Sequence, residues 1–598
     1  MARTCGWGSQ GREFKSRHPD FVPLSGTSSG KPDTLISATN MKRLLFIILT
    51  LLFLPPLVFA APEKGNNKFG ISLLQPTNLD VQNAAEMINS QGGDYGYVTL
   101  VIQENDRDKI KWQGIFDELR KNHLIPIIRL ATHPEGENWR KPEEKDANQW
   151  ISFLDSLNWV IKKRHIILFN EPNHATEWGG EVDPEGYGKV ASIFAQKLKE
   201  KNTDFFVMLA GLDASAPHYP STYEDEELFL GQISNFKFLI SNYIDGWASH
   251  SYPNPGFSGS PWDTGRKSIR GYEWELLLLK SLGISKDLPV FITETGWKNS
   301  KNTPSNFQTA YENVWGPDSR VIAVTPFVFN YQSEPFLGFS WKYPGEESFY
   351  PQYDRVKEIF KEKGEPTIIE KGALEQLLPA EIVANSNYHF TLSLKNNGQA
   401  IWDEKDGYRL FLMNNQSIPF EYFFSDIKDG EPNRETEASI FIKTNKTAEG
   451  AHTVKIVLKK NNETVMESNP WKFSILPLPK IEFEASLFPK FISNGYDIEM
   501  QIYDEKEGLI YKKGGLQMEK SRGTVNEVQN IVIGKKYRIV ILKPHYLPRQ
   551  TYIEFKKDKN KVTFRPLLPL DFNNDGKLSL NDGGELIKHL NLLNLLMP

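Results

Sequence analysis

The stretch "HIILFNEPNH", residues 165–174, decides how the chain is interpreted. Its run of isoleucine, leucine and phenylalanine predicts a buried β-strand, and Glu171 stands at the tip of that strand, between Asn170 and a proline. A second stretch, "FITETGW" (residues 291–297), also ends an apolar run at an acid, Glu294. In a barrel of parallel strands, the side chains at the carboxyl ends of the strands share one mouth. The two stretches therefore predict two carboxylates held on rigid strands at a common site.

The region around these stretches alternates short β-like runs with longer amphipathic runs. The β-like runs between residues 68 and 331 are nearly continuous in apolar residues, which is typical of a parallel sheet covered on both faces. Eight such runs, each followed by a helical pattern, predict an α/β fold, a TIM (β/α)8 barrel over residues 62–366. A doubly wound open sheet is the alternative, but no glycine-rich turn follows the first strand. The two acids fall on the fourth and seventh strands, on opposite sides of the predicted ring.

The hydrophobic period changes to two after the barrel region. Apolar and polar residues then alternate between turn residues, which predicts a β-sandwich over residues 367–477 and a second β-rich module over residues 478–567. The stretch "LKNNGQAIWDEKDGYRL" (residues 394–410) resembles Ig-like modules. Trp402 is expected to anchor the core of this module, and a sugar platform is the alternative. The module at 478–567 carries no motif to which chemistry can be assigned.

The sequence pattern near the N-terminus predicts that the protein is exported. Residues 41–60 combine a basic start "MKR", an apolar run "LLFIILTLLFL" and small residues before a cleavage point after Ala60, which is the pattern of a signal peptide. The apolar run is short for a membrane span, so we expect no membrane-spanning segment after cleavage. Residues 1–40 are interpreted as a non-native or disordered extension, with Met41 as the true start. The single cysteine, Cys5, lies there, so the exported chain would contain no thiol, which fits a secreted or cell-surface protein of bacterial or archaeal origin.

The terminal stretch "DFNNDGKLSLND" (residues 571–582) has the spacing of an EF-hand-type calcium loop. The expected Ca²⁺ ligands are Asp571, Asn573, Asp575, Ser579 and Asp582, with the backbone carbonyl of Lys577. Together with the helix pattern that follows, residues 568–598 resemble a dockerin repeat. Dockerins normally carry two repeats and one is present here, so a cohesin-like or cell-surface partner stays open. The alternative interpretation is an Asp/Asn-rich turn before an amphipathic helix.

The Asn-Glu-Pro at residues 170–172 and "TETGW" at residues 293–297 resemble the clan A glycoside hydrolases, the barrel superfamily of cellulases, mannanases, xylanases and β-glycosidases. The resemblance covers roughly residues 66–362. It implies that Glu171 is the acid/base, that Glu294 is the nucleophile and that Asn170 binds the sugar 2-hydroxyl, with retention of configuration and no cofactor for catalysis. Retaining enzymes hold their two carboxyl groups about 5–5.5 Å apart.

The resemblance extends to His250 and Tyr252, and a cation is expected near the nucleophile, although the clan's arginine often lies one strand earlier than Arg129. His250 and Tyr252, in "WASHSYP", are two apart on the sixth strand and therefore share a face. Tyr252 is expected to hold an oxygen of the nucleophile, and Arg129, in "IIRLATH", is the best cationic candidate near it. A buried structural histidine and a structural salt bridge are the alternatives for His250 and Arg129.

Aromatic platforms are expected because sugar rings offer apolar C–H faces. Trp297 follows the nucleophile motif directly, and Trp341 lies in the loop after the eighth strand, so both are predicted to contact substrate. Phe329 stands where the clan usually has a tryptophan.

Together these features predict an exported retaining glycoside hydrolase that acts on a β-linked poly- or oligosaccharide. The net charge of −5 gives no reason to expect a nucleic-acid partner. Two alternatives stay open: a non-catalytic carbohydrate-binding or adhesion protein built on an inactive barrel, and a transglycosylase that uses the same two carboxylates.

Overall fold

The computed structural model describes residues 65–374, 378–414, 417–428, 430–489 and 493–588. The predicted extension and signal peptide lie outside these ranges, as do residues 589–598 of the predicted dockerin-like tail. Within the described ranges, no helix combines the length and the apolar character that crossing a membrane requires.

Eight parallel strands form the first part of the fold, one in each of the eight β-like runs. They are β1 (Gly70–Leu73), β2 (Gly96–Gln103), β3 (Leu124–Ala131), β4 (Arg164–Leu168), β5 (Phe205–Leu209), β6 (Trp247–His250), β7 (Val290–Glu294) and β8 (Val321–Val324). Strands β1 to β5 form one sheet in chain order, and β6 to β8 form a second. Parallel bridges between Phe69 and Val324 and between Met208 and Gly246 join the two sheets into a ring. The prediction of an α/β barrel is confirmed.

Helices follow the strands and cover the outside of the ring. They are α1 (Asn78–Ile88), α2 (Lys109–Lys121), α3 (Ala147–Ser156), α4 (Pro184–Lys201), α5 (Glu226–Gly231), α6 (Phe236–Tyr243), α7 (Gly271–Ser281), α8 (Thr303–Thr309) and α9 (Gln352–Glu358). Helix α4, which follows β4, illustrates why they form. Asp183 caps its first turn by accepting the N–H of Gly186, and buried residues at helical spacing face the core.

The remainder of the described chain is rich in antiparallel strands. In chain order these are β9 (Gly372–Leu374), β10 (Glu381–Val383), β11 (Asn387–Asn396), β12 (Tyr408–Met413), β13 (Glu421–Phe424), β14 (Glu435–Lys443), β15 (Gly450–Lys460), β16 (Glu463–Glu467), β17 (Trp471–Leu476), β18 (Lys480–Glu484), β19 (Gly495–Tyr503), β20 (Leu509–Met518), β21 (Arg522–Val525), β22 (Lys536–Lys543), β23 (His545–Glu554), β24 (Lys559–Thr563) and β25 (Pro569–Asp571). A last helix, α10, spans Leu580–Lys588.

These strands form two successive pairs of sheets. The first pair has the orders β9-β11-β14-β13 and β10-β17-β15-β12, and the second has β21-β18-β24 and β20-β19-β22-β23-β25. Trp402 is buried in the core of the first pair. That core continues into the second pair without interruption, and the Tyr388 hydroxyl donates to the carbonyl of Ile531 at 2.9 Å. The two β-rich regions therefore share one apolar interior.

The β-rich region contacts the barrel at the end where strands begin. Gln399 donates to the carbonyl of Ile161 and Asn158 donates to that of Gly398, at 2.9 and 3.0 Å. Both barrel residues precede β4. The carboxyl ends of the strands lie at the opposite end of the barrel, away from these two contacts.

Candidate active site

Two strand ends bring Glu171 and Glu294 together at the barrel mouth. Glu294 is the last residue of β7, and Glu171 follows β4 by three residues. A carboxylate oxygen of each acid and a ring nitrogen of His250 all lie within 4.8 Å of one another. The two predicted acids therefore face each other across one small polar site.

The chain after β4 adopts strained backbone angles to deliver its acid. Phe169 and Glu171 have φ of 74° and 28°, in the left-handed region that side-chain-bearing residues rarely adopt. The turn is held by the N–H of Glu171, which donates to the carbonyl of Gly211 at 3.2 Å. Such strain persists only where the surroundings fix it, and it is common at functional sites.

Glu294 is surrounded by groups that stabilise its charged form. Arg129 donates to one carboxylate oxygen, and the hydroxyl of Tyr252 donates to the other at 3.0 Å. Burial raises the pKa of the Glu294 carboxyl, but the charges of His250 and Arg129 and the hydrogen bonds from Tyr252 and Arg129 outweigh burial, so the net pKa lies below its usual value. Burial and the nearby carboxylates raise the pKa of Tyr252, which keeps its hydroxyl proton available for donation. Glu294 is thus suited to act as an anion.

Glu171 is held by His250. The Nδ1 of His250 lies 2.7 Å from Oε1 of Glu171 and 3.9 Å from Oε2 of Glu294. Burial lowers the pKa of His250, but the charge of Glu294 and the hydrogen bond to Glu171 raise it above the usual value overall. The buried imidazole fits because residue 211 is glycine: a Cβ there would lie 2.2 Å from Cδ2 of the His250 ring.

Arg129 also orders the amide that precedes Glu171. One guanidinium nitrogen donates both to Oδ1 of Asn170, at 2.6 Å, and to Glu294. Oδ1 of Asn170 is therefore the acceptor for Arg129, and the amide nitrogen takes no part in that contact. Burial, and then the charge of Glu171, raise the pKa of Glu177 to about 7. Glu177 is a third carboxyl of the site that the sequence analysis missed, although it lies only six residues beyond Glu171.

The structure corrects the two predicted aromatic platforms. Trp297 is 3 % exposed, its ring packs edge to face on Phe307 at 5.0 Å, and its Nε1 donates to the carbonyl of Gly259. Trp341 is 1 % exposed and packs on the same phenylalanine at 4.8 Å. Both rings are thus buried by packing against other side chains, so neither offers a face to a ligand. Phe329 is fully buried as well.

Other aromatic side chains lie in the loops of the mouth. An aromatic cluster forms around the tyrosine that holds Glu294: Tyr252 packs on Phe257 and Phe339, and Phe339 packs on Phe327. Around the rim, the loops after β5, β6 and β8 present exposed rings: Tyr219, Tyr223, Trp262 and Phe336. Apolar ring faces are therefore available at the mouth, supplied by residues other than those predicted.

The terminal loop folds as a tight turn between β25 and α10. The carboxylate oxygens of Asp571 accept the N–H groups of Asp575 and Gly576, each at 3.0 Å, and Asp582 accepts the N–H of Ser579 at 2.7 Å. Gly576 has φ of 80°, which a residue with a side chain rarely adopts. The donor set of carboxylates, one amide, one hydroxyl and one backbone carbonyl suits Ca²⁺, which prefers oxygen ligands.

Comparisons with known proteins give likenesses of fold at low identity. No protein-family model and no curated protein matches the chain. Among solved structures, an endo-beta-1,4-glucanase from Xanthomonas axonopodis pv. citri is 12 % identical over 49 % of this chain and 97 % of its own, with a TM-score of 0.35. Cel5A (EG2) from Hypocrea jecorina is 11 % identical over 48 % and 97 %, with a TM-score of 0.35. A family 51 alpha-L-arabinofuranosidase from Bifidobacterium longum is 10 % identical over 64 % and 97 %, with a TM-score of 0.35. With TM-scores this low the likenesses carry no argument about activity, and the function is inferred from the site itself.

Proposed function

We propose that the protein is a retaining glycoside hydrolase that cleaves β-linked poly- or oligosaccharides. The observation that carries the proposal is the approach of a Glu171 oxygen to a Glu294 oxygen within 4.8 Å. Inverting enzymes place their carboxyl groups about 6.5–9.5 Å apart to admit a water molecule, whereas retaining enzymes hold them about 5–5.5 Å apart. The close approach supports direct attack by a carboxylate.

In the first step Glu294 attacks the anomeric carbon while Glu171 gives its proton to the departing glycosidic oxygen. The C–O bond to the leaving group breaks and an ester bond to Glu294 forms. Arg129 and Tyr252 hold the two oxygens of Glu294, which keeps the nucleophile ionised and oriented before the attack.

In the second step Glu171, now ionised, takes a proton from a water molecule that attacks the same carbon. The ester to Glu294 breaks, the sugar leaves with its original configuration, and Glu171 is protonated again. Two inversions thus give net retention, and no metal or cofactor is required by the balance of the reaction. In place of Trp297 and Trp341, we assign the stacking of sugar rings to the exposed aromatics of the rim, led by Trp262. We also propose that residues 41–60 act as a signal peptide that directs export of the chain.

The proposal is tested by incubating the full chain with a panel of aryl β-glycosides and β-linked polysaccharides and measuring reducing ends. We expect hydrolysis of at least one β-linked substrate. Binding to a glycan without hydrolysis of any member of the panel would instead support a non-catalytic carbohydrate-binding protein. Transfer of the sugar to an added acceptor sugar, in place of water, would support a transglycosylase.

We also propose that Ca²⁺ binds the terminal loop and is not needed for hydrolysis. The three atoms of Glu171, His250 and Glu294 are close enough to hold a metal ion, so the two sites must be distinguished. We expect calorimetry to detect Ca²⁺ binding to the wild-type protein and to Asn574→Ala, whose side chain is not among the expected ligands, but not to Asp571→Ala. EDTA is expected to leave hydrolysis unchanged. Loss of hydrolysis in EDTA and its recovery with metal would show that the barrel chemistry depends on a metal.

A further inference from the structure

Glu171 begins a row of titratable side chains on one face of a tight turn. The N–H of His174 donates to the carbonyl of Glu171, and the N–H of Glu177 donates to that of His174, at 2.9 and 3.1 Å. Hydrogen bonds between residues three apart bring every third side chain to the same face. The sequence "EPNHATE" therefore places an imidazole directly beside the proposed acid/base. Nδ1 of His174 lies 4.0 Å from Oε2 of Glu171, whereas His250 contacts the other oxygen, Oε1.

His174 is oriented by an acid from the neighbouring strand end. Its Nε2 lies 3.0 Å from Oδ2 of Asp213, which follows β5. Asp213 is in turn held by the N–H of Ser215 at 2.8 Å and by two hydrogen bonds with Asn173. The ring of Tyr223 packs against the imidazole edge to face, at 4.8 Å. The imidazole thus lies between two carboxylates, within hydrogen-bond distance of Asp213 and 4.0 Å from Glu171.

We propose that His174, held by Asp213, is a positioning residue that sets the pH at which Glu171 gives up its proton. The inference rests on the proposed role of Glu171 as acid/base. A cation at 4.0 Å favours the ionised form of a carboxyl. Glu171 must be protonated in the first step and ionised in the second, so a nearby charge that balances the two forms serves both steps.

The other charged groups show why such a cation matters. Those around Glu171 and His174 are His250 from β6, Glu294 from β7, Arg129 from β3, Glu177 from the same turn and Asp213 after β5. Burial lowers the pKa of His174, but the hydrogen bond to Asp213 and the charges of Glu171, Asp213 and Glu177 raise it above its usual value overall. Arg129 contacts Glu294 and Asn170, whereas ring nitrogens of His250 and His174 lie 2.7 and 4.0 Å from the Glu171 carboxylate.

The test compares His174→Gln, Asp213→Asn and the double variant with wild type. Glutamine keeps a donor to Asp213 but removes the positive charge. For a substrate with a poor leaving group, we expect the descending, alkaline limb of the kcat/KM profile to move up by about one pH unit in H174Q. D213N should shift the alkaline limb in the same direction but by less. The variant loses the carboxylate that favours protonated His174, so one negative charge disappears together with the positive charge. The double variant should resemble D213N. A matched control is His218→Gln, since His218 pairs with Glu224 at 2.6 Å in the loop after β5, and it should leave the limb in place.

A second measurement keeps the inference separate from the proposed function. The carbon shift of the Glu171 carboxyl, assigned by its loss in E171Q, reports protonation of the resting full-length protein without substrate. We expect Glu171 to stay protonated to higher pH in H174Q than in wild type, whether or not the protein hydrolyses any member of the panel. Superimposable titrations of Glu171 in wild type, H174Q and D213N would overturn the inference even if hydrolysis is established. If H174Q fails to fold, D213N decides.

Discussion

Replacing Glu294 with glutamine is expected to lower kcat/KM by about 10⁴-fold or more for every substrate that the protein hydrolyses. The variant keeps nearly the same side-chain shape but removes the negative charge that attacks the anomeric carbon. Because no ester can form, neither a good leaving group nor a change of pH should restore the rate. Initial rates on the best substrate of the panel, measured over a range of pH, check this expectation.

The change also leaves Arg129 beside a neutral amide, which costs stability because a largely buried charge loses its partner. Thermal unfolding of the variant must therefore be recorded, to show that the loss of rate occurs in folded protein. Glu137→Gln is a matched control, since Glu137 lies exposed on a loop of the same mouth and should retain full activity. Retention of a tenth or more of wild-type activity in folded E294Q would remove Glu294 from the role of nucleophile.

Replacing Glu171 with alanine is expected to divide substrates by their leaving groups. For natural glycosidic bonds, general acid catalysis typically contributes about 10²–10⁴-fold, and kcat/KM should fall by that factor. For a dinitrophenyl glycoside, which leaves without a proton, kcat/KM should change little. The second step loses its base, so the ester on Glu294 should accumulate and KM should fall together with kcat.

Azide provides the decisive readout for the same variant. Removing the carboxylate opens space for a small anion, which attacks the ester without needing a base. We expect added azide to restore turnover and to yield the β-glycosyl azide. An α-configured azide, or an equal loss of activity on good and poor leaving groups, would be incompatible with Glu171 as the acid/base of a retaining mechanism.

The barrel and the two acids could be predicted because both are properties of short sequence runs. A strand buried on both faces reads as a continuous apolar run, and the residue at its end is fixed by where that run stops. Glu171, Glu294, His250 and Tyr252 therefore meet as expected. Arg129, for which a structural salt bridge was the alternative, forms an ion pair and also contacts Asn170.

The aromatic residues could not be assigned from sequence because packing depends on partners far along the chain. Trp297 and Trp341 are of the residue type expected for sugar platforms, but both of their rings pack against Phe307. The pairing of His174 with Asp213 was missed for a similar reason. The two residues are separated by a helix and a strand, and only the closure of β4 beside β5 brings them within 3.0 Å.

The β-rich region shows the same limit on a larger scale. Its period of two predicted strands correctly, since side chains alternate between faces. It did not indicate that one core runs through both predicted modules, because contacts such as that of Tyr388 with Ile531 join distant strands.

Trapping the sugar on the protein tests the central claim most directly. A fluorine at the sugar 2-position slows both steps by destabilising positive charge at the anomeric carbon, and a good leaving group restores only the first. With the 2-deoxy-2-fluoro β-glycoside of the best substrate, we predict one sugar bound per chain, found by mass spectrometry on the peptide that contains Glu294 and absent from E294Q. A sugar attached to Glu171, or no adduct together with a product of inverted configuration, would contradict the account.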